Sequence, residues 1–371
     1  MSEAGIVGGS RSRAAHAQEL YDRVLHAISQ WPDDADDTAF APLALDVFRF
    51  QWSANPTYRR WCDALGWSAE EVEGLSDWTQ IPTLPVEAFK WDTVRTEGVE
   101  DAGPVAVFRT SGTTGQVQGE HHVHTPTLYR ASSIRSFRKV FGEPGTQGTD
   151  LLALLPGYLE RPDSSLVHMV RELRAAGWRD PETDVEDGFF LHDVEALFAA
   201  VDRAREAGRQ PVLIGVTWAL VDAAEVWRKA GRTPLEDAAV LIETGGMKGR
   251  RKEWVREEVH AHLCAHFGAR DVGGEYGMTE LLSQAWSTGG GRYRTPPWMR
   301  VRMRRTDDPL TLTSSGATGG LDVVDLANLG SCCFLATQDL ARPATDHVHR
   351  EFEVLGRFDH AEVRGCNLMV D

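Results

Sequence analysis

"VFRTSGTTGQVQGEHHVH", residues 107–124, sets four hydroxyl side chains (Thr110, Ser111, Thr113, Thr114) around two glycines, Gly112 and Gly115, directly behind a short apolar run. In a glycine-rich loop after a strand, backbone N–H groups can turn toward one anion. Hydroxyls add donors, and glycine removes the Cβ that would hold a phosphate away. The most familiar phosphate loop ends in Gly-Lys-Ser/Thr, and no lysine follows here. Residues 110–115 read as a triphosphate grip of another kind. Taken alone, the same hexamer also suits an ordinary surface turn.

Beyond this loop, "LLALLP" (151–156) and "PVLIGV" (211–216) are continuous apolar runs bounded by proline or glycine, the pattern of buried strands. Between them lie helical stretches, 164–176 and 192–207. The first opens on serines suited to capping and the second has Asp193 in its first turn. Upstream, Leu20, Val24, Ala27, Ile28 and Trp31 recur at helical spacing within 17–31. Strand alternating with helix implies a largely parallel sheet covered by helices, an α/β chain. From about residue 310 the pieces turn shorter and more strand-like, giving a β-rich region.

The chain has 371 residues, 42% hydrophobic and 25% charged, enough for a large core in one or two domains. Its net charge of -16 opposes non-specific nucleic-acid binding, which needs a basic surface. No run has the length of a membrane span, and no signal-peptide core is expected at the N-terminus. Five cysteines (Cys62, Cys264, Cys332, Cys333, Cys366) show no zinc-type spacing, which fits a cytoplasmic protein with reduced thiols.

A second loop, "GGEYGMTELLSQAW" (273–286), joins glycines, an aromatic ring, a hydroxyl and a carboxylate. Tyr276, just before Gly277, can stack a base, Thr279 can hydrogen-bond an α-phosphate, and Glu280 can hold Mg²⁺. A helix start with Thr279 and Glu280 in its first turn is the plainer expectation, and helix N-termini attract phosphate as well. In "ATQDLAR" (336–342), Asp339 ends a strand-like run where a carboxylate can accept two ribose hydroxyls. In "VLGRFDHAEVRGCN" (354–367), Arg357 can reach the ribose or a phosphate.

Four such elements in this order resemble the adenylate-forming superfamily of acyl-CoA synthetases and peptide-synthetase adenylation domains. "TSGTTG" looks like its phosphate loop, "YGMTE" its adenine and magnesium motif, "TQD" its ribose aspartate and "GRFDHAEVRG" its hinge. Two departures stand out: Gln118-Gly119 where the family loop runs toward Lys-Gly, and Gln338 where the ribose motif usually has glycine. The chain also ends soon after the hinge, so the C-terminal domain and its catalytic lysine are expected to be missing. Within the superfamily this resembles the acyl-protein synthetase (LuxE-type) branch. The likeness includes "FQWSANPTYRRWC" (50–62), "IPTLPVEAFK" (81–90), "LPGYLERPDSSLVHMV" (155–170), "TGGMKGRRKE" (244–253) and the terminal "RGCN".

The resemblance implies a large domain over 1–357, with its β-rich subdomain from about 310, and a vestigial hinge segment over 358–371. It implies ATP and Mg²⁺ as cofactors and a carboxylic acid, fatty or aryl, as substrate. The acyl-adenylate would pass to Cys366 and then to an acceptor protein, a reductase or acyltransferase. Cys366 follows Arg364-Gly365, where an accessible thiol of low pKa is plausible chemistry. Lys248 in "TGGMKGRR" is a candidate for the missing cation, since Gly245 and Gly246 would let the backbone approach adenine closely; Arg250 and Arg251 are substitutes. His121 and His122 follow the phosphate loop, and in a strand only one of them can face the site. Cys332 and Cys333 are assigned to the core. Two other outcomes stay open: delivery to coenzyme A or a carrier-protein thiol, and a non-catalytic nucleotide-binding subunit.

Overall fold

The computed structural model describes residues 4–101, 105–110, 117–145, 148–245, 254–314 and 316–358, with side chains from residue 13 onward. The chain opens with α1 (Ala4–Gln30), α2 (Asp37–Ala54), α3 (Pro56–Ala64) and α4 (Ala69–Gly74). In α1, Leu20, Val24, Ala27 and Ile28 are fully buried, as their spacing predicts. Asn55 joins two helices. Its N–H donates to the Gln51 carbonyl at the end of α2 (2.8 Å), and its side chain accepts from Tyr58 N (3.0 Å) at the start of α3. Pro56 then occupies the first helical position, where a missing N–H costs nothing.

Two short strands, β1 (Leu84–Pro85) and β2 (Ala106–Arg109), follow, and β3 (Glu120–Val123) pairs antiparallel with β2. The main sheet takes β4 (Thr149–Leu154), β5 (Gln210–Gly215), β6 (Val240–Glu243) and β7 (Gly273–Tyr276) in parallel register. It continues through β8 (Ala285–Ser287), β9 (Arg292–Arg294), β10 (Met299–Arg304), β11 (Gly319–Asp325), β12 (Phe334–Pro343) and β13 (Glu351–Arg357). The spatial order is β10-β11-β12-β13-β9-β8-β7-β6-β5-β4, with β1 parallel to β12. Every pairing on the path from β7·β8 to β10 is antiparallel, so one continuous ladder has a parallel half and an antiparallel half.

Helix α5 (Pro126–Phe141) leads from β3 into β4, and α6 (Ser165–Ala175), α7 (Val194–Glu206), α8 (Thr217–Lys229) and α9 (Arg256–Phe267) supply the parallel crossovers. Alternation along the strands sorts their packing. Leu151, Ala153, Val212, Ile214 and Ile242 share a core with α5 and α6, whereas Leu152, Leu154, Leu213 and Leu241 share one with α7, α8 and α9. Ser164 caps α6 by accepting from Val167 N, and Asp193 proves to be the cap of α7 rather than a first-turn residue. Trp178, Trp227 and Trp298 are wholly buried, and truncating any one would cost about 3–5 kcal/mol. Trp218 is half-buried against the second core.

Polar pins fix the strands that matter for the site. Gln51 Nε2 donates to the Leu329 carbonyl (3.0 Å) and Asn55 Nδ2 to that of Ser331 (2.7 Å), binding the N-terminal helices to the approach of β12. Asp322 of β11 lies between Arg304 Nη1 (2.6 Å) and Arg302 Nε (3.3 Å), and accepts from Thr83 beside β1 (3.0 Å). Cys332 and Cys333 lie in the core, where burial raises both thiols far above their usual range. Among the described residues no helix is long and apolar enough to cross a membrane.

Candidate active site

The hairpin of β2 and β3 presents the loop quoted at the outset. Its neck is closed by hydrogen bonds from Thr110 N to the Gly119 carbonyl (3.0 Å), from Gly119 N to Thr110 Oγ1 (2.9 Å) and from Gln118 Nε2 to the Thr110 carbonyl (2.8 Å). Thr110 thus shapes the mouth of the loop, while its hydroxyl proton remains able to donate. Gln118, standing where the related loops carry lysine, ties the neck instead of presenting a charge. Ser111, Gly112, Thr113, Thr114 and Gly115 lie outside the described residues.

The chain from β7 to β8 corrects one expectation. Residues 278–281 form a single turn, closed by Leu281 N on the Met278 carbonyl (3.1 Å), and not the start of a helix. The reason is Asp325 at the end of β11, whose carboxylate accepts from Leu282 N (2.9 Å), Ser283 N (2.9 Å) and Ser283 Oγ (2.6 Å). Amides that would otherwise need helix capping are satisfied from another strand, and the chain runs on into β8. Two side chains hold the turn by its carbonyls. His121 Nδ1 bonds the Thr279 carbonyl (2.8 Å), and Asn328 Nδ2 donates to that of Glu280 (2.6 Å). Thr279 Oγ1 lies 3.4 Å from the Arg109 carbonyl, placing its hydroxyl at the hairpin neck.

His121 and His122 point to opposite faces of β3, as alternation requires. His121 is fully buried, meets Phe89 edge-on (5.3 Å between centroids), and is pushed down to about 4 by burial. Because a carbonyl only accepts, Nδ1 carries the proton and Nε2 is bare. His122 is half-buried, with Nε2 3.3 Å from Glu120 Oε2.

Glu280 is buried, and burial pushes its carboxyl up to about 7. Arg357 and Lys90 oppose the rise and Glu87 adds to it. Among the described residues no other side chain hydrogen-bonds this carboxyl group. Its own backbone N–H is the bonded partner it has. A buried acid with cationic neighbours and no bonded side chain is suited to a divalent cation, which would hold it ionised.

Asp339 does not end its strand as the sequence suggests: it stands in the middle of β12, whose edge pairing with β13 sets it directly opposite Arg357, the last residue of β13. Tyr276 donates its hydroxyl to Asp339 Oδ2 (2.8 Å), Arg357 Nε donates to Oδ1 (3.2 Å), and Asp339 N donates to Thr337 Oγ1 (3.1 Å). The ring of Tyr276 is packed edge-on against Phe352 (5.2 Å) and Tyr293 (6.0 Å), leaving 8% of the residue exposed. Gln338 donates to the Glu87 carboxylate, so this departure from the ribose motif makes a contact that glycine cannot.

Thr110, Tyr276, Gly277, Thr279, Glu280, Asp339 and Arg357 are therefore gathered where the hairpin neck, the turn after β7, the middle of β12 and the end of β13 meet. Gly245, at φ +81°, follows β6. Its N–H donates to Glu243 Oε1 (2.7 Å), and the space where a Cβ would stand is open. Gly246, Lys248, Arg250, Arg251 and Cys366 lie outside the described residues. His121, Asn328 and Asp325 support the site without any local motif: their partners are far away in sequence. Lys90 and Glu87 lie in "IPTLPVEAFK", a segment noted for its resemblance and not for charges beside Glu280.

No protein-family profile matches the sequence. The chain is 23% identical over 354 residues, 91% of its own length and 89% of the other's, to a long-chain-fatty-acid–luciferin-component ligase of Vibrio harveyi. It is also similar to solved structures of 2-hydroxyisobutyryl-CoA ligase. An open conformation with 2-HIB-AMP and CoA gives a TM-score of 0.60 at 15% identity, covering 90% of this chain and 77% of that one. The thioesterification state gives 0.60 at 16% identity, covering 90% and 70%. The chain thus shares the fold of 2-hydroxyisobutyryl-CoA ligase over nine-tenths of its length, and its sequence likeness to the Vibrio ligase extends over nearly its whole length.

Proposed function

We propose that the chain activates a carboxylic acid with ATP, releasing pyrophosphate, and transfers the acyl group from the adenylate to a protein thiol. The observation that carries this reading is the meeting of Thr279, the buried Glu280 and the Asp339–Arg357 pair beside the hairpin neck. In the first step an oxygen of the acid attacks the α-phosphorus as the bond to pyrophosphate breaks. Negative charge spreads over phosphoryl oxygens, so catalysis is chiefly positioning and electrostatic stabilisation. Asp339 accepts the ribose hydroxyls, Tyr276 with Gly277 and the backbone at Gly245 and Gly246 flank the base, and Arg357 stands at the ribose edge. Thr279 donates to the α-phosphate, while Thr110 and residues 111–115 hold the remaining phosphates. Mg²⁺ on Glu280 would neutralise charge on the departing pyrophosphate. Lys248 is the candidate cation for the acid and α-phosphate.

In the second step the Cys366 thiolate attacks the acyl carbonyl and AMP leaves, giving a thioester. The thioester then passes to an acceptor protein, a reductase or acyltransferase, in a reducing cytoplasm. The catalytic body is residues 1–357 and the hinge segment 358–371.

Support comes from the shared fold, the acyl ligase likeness and the site geometry. The test is carboxylate-dependent exchange of pyrophosphate into ATP across a panel of fatty and aryl acids. Exchange is expected with at least one acid, and Cys366→Ser should keep it while losing hydroxylamine-sensitive labelling. Exchange with none would sink the reading. Labelling that survives Cys366→Ser would move the thioester to another residue of the chain, and exchange without any labelling of the wild type would favour delivery to coenzyme A or a carrier protein.

A further inference from the structure

We propose that the acid taken by this site carries a hydrogen-bond donor, a hydroxyl or an ammonium group, within a few atoms of its carboxyl, and that Glu275 reads it. The inference rests on the adenylation reading above and names the substrate class of that same site. Glu275 is the third residue of β7 and stands opposite Trp286 of β8. The indole N–H of Trp286 lies 3.3 Å from Ser136 Oγ of α5, so Glu275 faces α5 while its neighbour Tyr276 faces the other side of the sheet. The carboxyl group curls beneath the turn that carries Thr279 and Glu280. A Cβ built on Gly277 would stand 2.2 Å from Glu275 Oε1.

Among the described residues no hydrogen bond or ion pair reaches this carboxyl. Tyr129 of α5, close enough to feel its charge, gives its hydroxyl proton to the Ser165 carbonyl (2.9 Å). The strongest charge acting on it is Glu243, of the same sign, and burial is the larger cause that pushes Glu275 up to about 8. Glu243 itself is engaged by Gly245 N and Thr217 Oγ1, leaving Glu275 alone without a donor. A minor part of the residue is still open to solvent. An acceptor without a protein partner, partly open and set under the reacting turn, is a place for a ligand's donor.

An unsubstituted alkyl chain packed here would strip the last solvent from the carboxyl and offer nothing in return. Sites built to bond a substrate group reject analogues that lack it more strongly than apolar pockets reject an extra methylene. The experiment compares, in the pyrophosphate-exchange assay, 2- and 3-hydroxy acids and the matching amino acids with the same chains unsubstituted, from short to long. Wild type, Glu275→Gln and Glu275→Leu are each assayed, with thermal melts to establish folding. Wild type should prefer at least one substituted acid by tenfold or more in kcat/KM. Glu275→Leu should erase or invert that ratio. Glu275→Gln, which keeps an acceptor but no charge, should retain a hydroxyl preference and lose an ammonium preference, so the two sources separate. Exchange in which unsubstituted acids equal or surpass their partners, or a ratio untouched by Glu275→Leu, overturns this inference alone. Silence with every acid overturns the adenylation reading and this inference with it.

Discussion

Replacing Glu280 with glutamine should make the empty protein more stable and the enzyme inactive. Burial lifts this carboxyl from 4.5 to about 7. Each pKa unit is worth 1.36 kcal/mol, so holding the group ionised in the fold costs on the order of 3 kcal/mol. The sign follows from proton counting. Between pH 4.5 and about 7 the folded state binds more protons at this site than the unfolded chain does, so stability falls as pH rises through that window. Glutamine has the same shape and no charge. At pH 8 Glu280→Gln should therefore raise the urea midpoint by roughly 1 M relative to wild type, if the slope is near 3 kcal/mol per M. At pH 5 the two proteins should nearly coincide. Pyrophosphate exchange should fall by at least about 100-fold, as expected when an electrostatic group is lost from a transition state. A variant less stable than wild type at pH 8, or a stability difference independent of pH, would refute the picture of a strained acid awaiting a cation.

Asp339→Asn removes the charge that faces Arg357 and the proposed ribose. Hydrogen bonds to charged groups are worth about 1.5–3 kcal/mol, so KM for ATP should rise by roughly 10- to 100-fold in the exchange assay, while the fold persists. An unchanged KM would remove Asp339 from the nucleotide site. His121→Phe should flatten the acid limb of the stability curve. The imidazole is held near 4 by burial, so in wild type stability is lost as pH falls from 6.5 toward 4, by about 3 kcal/mol in total. Urea midpoints at pH 7 and pH 4.5 report this, and an undiminished acid loss in the variant would show that another group titrates. The same variant frees the Thr279 carbonyl and should lower kcat more than it raises KM, with His121→Asn restoring part of the loss through its own N–H.

The framework of the fold was legible because parallel strands are buried on both faces and read as unbroken apolar runs, as at 151–156 and 211–216. The helices between them declared themselves by spacing and by Ser164 and Asp193. The site's hydroxyls and carboxylates were legible as short motifs whose order carried the information. What escaped was what the distant chain decides. The turn at Thr279 reads locally as a helix start, and only Asp325, 42 residues beyond Ser283, explains why it is not. The pairing of Asp339 with Arg357 depends on strand register, which no local pattern fixes. Likewise, a hydroxyl-rich segment does not reveal that Thr110 accepts from Gly119, nor a histidine pair that His121 steadies a turn across the site. Glu275 sits inside a recognised motif yet is read over, because its isolation is visible only in three dimensions.

The seam at β7, parallel to one neighbour and antiparallel to the other, has a consequence for how such a catalyst can be altered. Glu275 and Tyr276 are consecutive, and the pleat sends them to opposite sides of the ladder. A breeder of new activities could remodel the surroundings of Glu275 under α5 while leaving the Tyr276–Asp339 clasp intact. The proposed taste for the acid and the proposed grip on the nucleotide would then drift independently, although one strand carries both.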